Sequence, residues 1–207
     1  MSSFEQESFS LEADSLLKVP DGIILPSPTD HKKNVEKERT CCFTGHRAKK
    51  LPCYGDRNDP RIKALCSKIY FEIKELYEKH GVRYFLTGMA NGADLLCGEE
   101  VIRLKREFPD IALYCISPYV GHIREMTSPD DRYVYSMLRY ASEKNLTLFA
   151  EYSKNVYRYR NSFLVEHSSY MLAIFDKHKD QSRYSGTAMT VSMARRAGLN
   201  IRMISDL

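Results

Sequence analysis

No run of about 18 consecutive apolar residues occurs in the 207-residue chain, which leaves no candidate for a membrane-spanning helix. No secretory leader is expected either. The opening MSSFEQESFSLEADSLLK carries acids where such a leader has a basic start and an apolar core. A soluble protein of the cytoplasm is the expectation. Cysteine staples have no signature: Cys41 and Cys42 are adjacent, Cys53, Cys66, Cys97 and Cys115 are scattered, and no C-x-x-C pair exists. A zinc site would need convergence over long range, so reduced thiols acting as small apolar groups are expected and no metal is. H-E-x-x-H, the nucleophile elbow G-x-S-x-G and a carboxylate-rich metal cluster are missing. His46, His122 and His167 stand at no metal-ligand spacing, and a plain buried or surface role is expected of each. Strong charge of one sign is absent as well. A formal net charge of +4, with acids among the bases, tolerates an anionic ligand but is not the dense basic face of a dedicated nucleic-acid binder.

What is there suffices for one well-buried domain. Hydrophobic residues make up 43% of the chain, which argues against disorder for its bulk. A chain this long buries roughly 70% of its unfolded surface without staples. Residues 1–39 differ from the rest, with PDG and LPSPTD turn signals and the charged run HKKNVEKER. They read as an extension or linker, with a short helix around Ser10 to Lys18. From Thr40 onward six short β-branched, aromatic or aliphatic runs read as strands: Thr40–Thr44, Val82–Thr87, Ile111–Ile116, Asn145–Ala150, Tyr170–Phe175 and Asn200–Ile204. Several are apolar at successive positions, the pattern of strands covered on both faces.

Helical patterns fall between them. Ile62, Leu65, Ile69, Ile73 and Leu76 form one apolar stripe on a helix that stops near Gly81. A second helix starts after Gly92 and ends before Phe108-Pro109. The third has Ser128 as cap and Pro129 in its first position, with Tyr133, Val134, Met137, Leu138 and Ala141 as its buried face. A fourth covers Arg158 to Ser168. The fifth runs from Thr187 to Ala197 and closes at Gly198. The strict alternation predicts an α/β fold: a Rossmann-like, doubly wound, mainly parallel sheet of about six strands flanked by helices over residues 40–207.

In such a sheet ligands sit beyond the carboxyl ends of the strands. The first strand ends in Thr44-Gly45-His46-Arg47, a glycine turn with donors at its rim, equally readable as an ordinary turn. The second ends in Thr87-Gly88-Met89-Ala90-Asn91-Gly92-Ala93-Asp94 before a helix. Gly88 and Gly92 permit close approach of an anion to backbone amides, and Asp94 suits a helix cap or a ribose hydroxyl. The loop is neither G-x-G-x-x-G nor a P-loop. Ser117-Pro118-Tyr119 follows the third strand and offers a ring for stacking. Asp176 follows the fifth strand, then the loop HKDQSRY, then Ser185-Gly186-Thr187, a second phosphate cradle or simply an N-cap. Arg160-Asn161, early in the fourth helix, is either solvated or a clamp for phosphate and sugar.

Four segments in this order, CCFTGHR, FLTGMANGAD, RNSFLVEHSSYMLAIFD and SGTAMTVSMARRAG, resemble the YpsA-like proteins, formerly a domain of unknown function. These belong to the SLOG superfamily, with the DNA-processing protein DprA and the cytokinin-activating LOG enzymes. The resemblance covers about residues 40–205. It implies a Rossmann-like fold and a nucleotide-derived ligand. Gly45, His46 and Arg47 stand at the first motif, Gly88, Gly92, Ala93 and Asp94 at the glycine loop, Arg160 and Asn161 at the Arg-Asn pair, and Gly186 and Thr187 at the Gly-Thr turn. The LOG signature P-G-G-x-G-T-x-x-E is broken, because Thr190 stands where it has glutamate. That removes the acid/base group of a ribotide hydrolase and leaves Asp94 or Asp176 as the substitutes.

Three functions follow as expectations. The first is a sensor or regulatory module holding a nucleotide, NAD or ADP-ribose derivative. Its amides would come from the glycine loop and Ser185–Thr187, its cations from Arg47 and Arg160, and its hydroxyl or base contacts from Asp94 and Asn161. The second is a hydrolase of N-glycosidic or phosphate bonds. The third is DprA-like binding of single-stranded nucleic acid, disfavoured by the modest charge. A homo-oligomer is compatible with all three.

Overall fold

The computed structural model describes residues 36–176 and 185–205. The helix expected at Ser10–Lys18 and the loop HKDQSRY lie outside the described residues. Six strands form one parallel sheet: β1 (Thr40–Gly45), β2 (Tyr84–Thr87), β3 (Ala112–Tyr119), β4 (Lys144–Phe149), β5 (Tyr170–Ile174) and β6 (Asn200–Ile204). Their order is β4-β3-β2-β1-β5-β6, every neighbouring pair parallel. The fold is thus α/β and Rossmann-like. The strand sequence reverses direction between β1 and β5, where Thr44 pairs with Ala173 and Gly45 with Ile174.

Five helices connect the strands. α1 (Pro60–His80) starts on Asp59, whose carboxylate accepts from the Arg61 amide, with Pro60 in the first turn. It ends at Gly81 in the left-handed conformation. Its stripe of Ile62, Leu65, Ile69, Ile73 and Leu76 is buried throughout, and each such side chain contributes roughly 1.5–3 kcal/mol. α2 (Ala93–Lys105) and α3 (Pro129–Ala141) join α1 on one face of the sheet, over Phe43, Phe85, Leu113 and Cys115. α4 (Val156–Glu166) and α5 (Gly186–Arg196) cover the other face, over Cys42, Leu86, Tyr114 and Ile116. Successive strand residues therefore feed opposite cores, which is why the strands are apolar without alternation. Arg57 ties α2 to α3 through Glu99 at 2.8 Å and Asp131 at 3.0 Å.

Two expectations are corrected. Ser117-Pro118-Tyr119 does not follow β3 but forms its end, with Ser117 paired to Thr147 and Tyr119 to Phe149 of β4. β2 pairs with β3 only up to Cys115, so beyond it β3 has a single neighbour and the missing amide of Pro118 costs no ladder bond. Tyr133 is not in the buried face of α3. It is 73% exposed, because Asp131, Val134, Tyr135 and Leu138 point inward and Tyr133 lies off that arc.

Candidate functional site

The carboxyl ends of β1, β2 and β5 bring most of the candidate residues together. Gly45 has no room for a side chain: a Cβ would stand 2.5 Å from that of Ala93 and 2.8 Å from the Ile174 carbonyl oxygen. The α2 start thus packs directly on the end of β1, with the Ala93 amide donating to the His46 carbonyl at 3.0 Å. His46 is buried, its ring 5.3 Å from that of Phe175. Its Nε2 accepts from the Asp176 amide at 3.1 Å, which fixes the start of the segment after β5. Thr44, buried in β1, precedes this junction.

The close approaches expected at Gly88 and Gly92 are made by protein atoms. A Cβ on Gly92 would meet the Ala48 nitrogen at 2.5 Å and the His46 oxygen at 2.6 Å, so the two strand-end loops lie back to back. Gly92 also holds φ +90°, a conformation natural only to glycine. A Cβ on Gly88 would lie 1.3 Å from Arg160 Nη1. That guanidinium crosses the end of β2 from α4 and donates to Asp94 Oδ2 at 2.8 Å, both side chains being buried. The same oxygen accepts from the Ala90 amide at 3.2 Å. Asp94, a catalytic candidate in the sequence, is therefore the partner of a buried cation and ties the two helical layers together. Burial pulls the Arg160 guanidinium below the usual arginine value, Asp94 sustains its charge, and nearby Arg47 adds repulsion. Its Nε has no hydrogen-bond partner among the described residues.

Arg47 is half-buried at the rim, 3.4 Å from Asn91 Oδ1 and 5.4 Å above the Tyr157 ring centre. On the other side, α5 is seated on β1 by the Thr187 hydroxyl, which donates to the Gly45 carbonyl at 2.9 Å. Ser185 caps the helix by accepting from the Ala188 amide at 3.3 Å. Gly186, the first helical residue, is exposed, with nothing among the described residues within 4 Å of a notional Cβ. Thr190 is fully buried. Its hydroxyl accepts from Asn161 at 2.7 Å and donates to the Gly186 carbonyl at 2.8 Å, so it knits α4 to the first turn of α5. Ser117 stands apart, its hydroxyl 2.7 Å from that of Tyr135 on α3.

Sequence reasoning passed over the groups beside Arg47. Glu125, at the end of the short turn His122–Glu125, accepts the hydroxyls of Tyr119 and Tyr157. Burial alone would raise its carboxyl, but these hydroxyls outweigh it and hold the group below its ordinary value. Tyr157 was legible in principle, being one helical turn before Arg160 on the same face. Glu125 has no such local signal. Four of the six cysteines, Cys41, Cys42, Cys97 and Cys115, are buried, and burial pushes the Cys42 thiol up to about 12.

The YpsA sequence model, described as the YspA SLOG family, matches residues 41–206. The chain belongs to this family. The match reaches all six strands and the strand-end residues between them. A UPF0398 protein of Staphylococcus epidermidis is 25% identical over 169 residues, covering 81% of this chain and 88% of the relative. A UPF0398 protein of Staphylococcus saprophyticus is 25% identical over 145 residues, 70% of this chain and 76% of the relative. Among solved structures, DNA processing protein A from Helicobacter pylori aligns with TM-score 0.54 and 15% identity over 95% of this chain and 78% of that one. That structure describes a single-stranded DNA binding mode for the Helicobacter protein. At this identity the likeness is one of fold. Among the described residues no helix is long and apolar enough to cross a membrane.

Proposed function

We propose that this family member binds a nucleotide or nucleotide-derived phosphorylated ligand, of the ADP-ribose or NAD kind, as a sensor or regulatory module. One observation carries the reading: the open first turn of α5, at Gly186, is held over the end of β1 at the point where the strand order reverses. Amides at a helix start, with the helix dipole behind them, suit a phosphate. Arg47 at the rim supplies a reachable cation, and buried Arg160 adds positive charge behind it. Hydrolysis is supported less, because Asp94 is engaged by Arg160 and the position of the hydrolase glutamate holds buried Thr190.

Titration calorimetry with AMP, ADP, ADP-ribose and NAD tests the reading. Arg47→Ala should weaken binding about tenfold or more, the worth of a charge-assisted hydrogen bond. Gly186→Asp should keep the fold, since its side chain meets nothing and an acid suits a helix start, yet it should repel the phosphate. No binding at millimolar ligand to folded protein would sink the proposal. The Helicobacter neighbour favours one second reading, single-stranded DNA binding. It requires a gel shift whose affinity falls steeply with salt, and Gly186→Asp would then leave the shift unchanged.

A further inference from the structure

A second cluster borders the crevice at the end of β3. The His122 side chain is 0% exposed and stands edge-on to Tyr119, Tyr135 and Tyr157, with ring centres 5.6, 5.9 and 6.0 Å away. Neither of its ring nitrogens has a hydrogen-bond partner among the described residues. Burial, with repulsion from Arg160 and Arg47, pushes its pKa down to about 3. At physiological pH the ring is therefore neutral, with one N–H donor and one acceptor, both out of water and both unused. Native structures rarely leave such a group without a partner, whether protein, water or ligand.

His122 Nε2 lies 3.8 Å from Glu125 Oε2, too far for a direct hydrogen bond. The Tyr119 and Tyr157 hydroxyls occupy only the other oxygen, Oε1. The Glu125 side chain is 34% exposed while both His122 nitrogens are buried, so a guest would reach them only past Glu125. Facing a carboxylate, the favoured tautomer carries its proton on Nε2. A group filling the gap must then accept from an N–H and donate to a carboxylate at once. A protonated amine cannot accept there and a carbonyl cannot donate. A hydroxyl does both, and an oxygen about 2.8 Å from each atom would span their 3.8 Å separation.

We infer that Glu125 and His122 form a sugar-hydroxyl subsite: one ribose hydroxyl of the bound nucleotide donates to Glu125 Oε2 and accepts from His122 Nε2. The apolar face of the sugar ring lies against the tyrosine cluster, which Tyr152 completes, 62% exposed and 5.5 Å from Tyr119. This rests on the nucleotide reading above and extends it. The spacing is that of a nucleotide's own parts. Arg47, proposed to hold phosphate, lies over one face of Tyr157, and the hydroxyl of that ring binds Glu125. One tyrosine ring separates the cation from the carboxylate, as one short linker separates a phosphate from the ribose hydroxyls.

The test is calorimetry on the full chain with ADP, 2′-deoxy-ADP and 3′-deoxy-ADP, for the native protein and for Glu125→Gln, His122→Gln and Arg47→Ala. The native protein should prefer ADP to one of the two deoxy analogues by about tenfold or more. Glu125→Gln and His122→Gln should bring that ratio below about threefold, while Arg47→Ala weakens all three ligands alike and keeps the ratio. A variant that merely loosens the fold weakens every ligand together and does not move the ratio, so a ratio unchanged in both variants overturns the assignment. Equal binding of the three nucleotides by the native protein refutes the subsite while the phosphate reading stands. Absence of binding by all three refutes both.

Discussion

At the residue scale, the contact of Gly88 with Arg160 decides what the glycine loop is for. Alanine there would force its methyl into the guanidinium and to 2.8 Å from Asp94 Oδ2. The side chain that yields is the buried arginine, which cannot leave its carboxylate cheaply. Gly88→Ala should therefore cost about 2–4 kcal/mol, and Asp94→Asn about 3–5 kcal/mol, because each strands a buried charge. Replacing the pair together by Arg160→Met and Asp94→Leu should cost less than Asp94→Asn alone. Urea denaturation of the three variants measures this, and an Asp94→Asn protein as stable as the native one would contradict a structural role. His122 offers a test by pH. Its folded pKa, about 3, lies below the ordinary 6.5, so the unfolded chain binds a proton that the folded one refuses. Stability contributed this way is complete above about pH 6.5 and falls as the pH drops towards 3. Between pH 7 and 5 the native protein should lose about 2 kcal/mol more than His122→Phe does, since phenylalanine has no proton to take up.

At the element scale, α5 should be the most sensitive to small polar changes, since the hydroxyls of Ser185, Thr187 and Thr190 set its first turn. Ser185→Ala removes the cap and should cost about 1 kcal/mol. Thr187→Val keeps the shape, removes the bond to Gly45, and should cost about 1 kcal/mol together with a severalfold loss of nucleotide affinity, because the helix start is no longer pinned to β1. Affinity undisturbed in Thr187→Val would argue that α5 is not where the ligand's charge sits. How far these elements were legible follows from what specifies them. Caps and stops are local chemistry, so Asp59-Pro60, Ser128-Pro129, Gly81 and the Ile62-to-Leu76 stripe mark their helices in the sequence itself. β6 has the limits expected, whereas β3 continues three residues further because it borrows β4 as a partner. Pairing is not visible along the chain. The same distinction holds in the site. Strand-end position singles out Gly45, Gly88, Gly92 and Gly186, but their uses differ. Gly186 is open, while Gly88 and Gly92 make room for Arg160 and for residues 46–48, neighbours that only the fold supplies. The Glu125–His122 pair was hidden for the same reason. Its meaning comes from Tyr157, which arrives on a helix after the next strand.

At the scale of the whole molecule, the Arg160–Asp94 bridge and the seating of α5 make the carboxyl edge of the sheet a single connected surface. Helices of one layer are tied to the other across β2, and α5 is tied to β1. A ligand held by Arg47, Gly186 and Arg160 would touch the loop after β1, α5 and α4 at once, so it should stabilise the global fold and not merely one loop. At a concentration one hundred times its dissociation constant it should add about 2.7 kcal/mol. For a chain of this size that corresponds to a rise in melting temperature of about 5–10 °C. The increment should shrink as salt is raised from 50 to 500 mM, since Arg47 is at the rim where ions screen it, but it should not vanish, since Arg160 is buried. Single-stranded DNA predicts a different outcome: its stabilisation would disappear over the same range, because affinity drawn from many phosphates falls as a high power of salt concentration. A melting curve unmoved by saturating ADP-ribose and NAD, but raised by an oligonucleotide at low salt only, would transfer the function of this edge from a nucleotide to a strand.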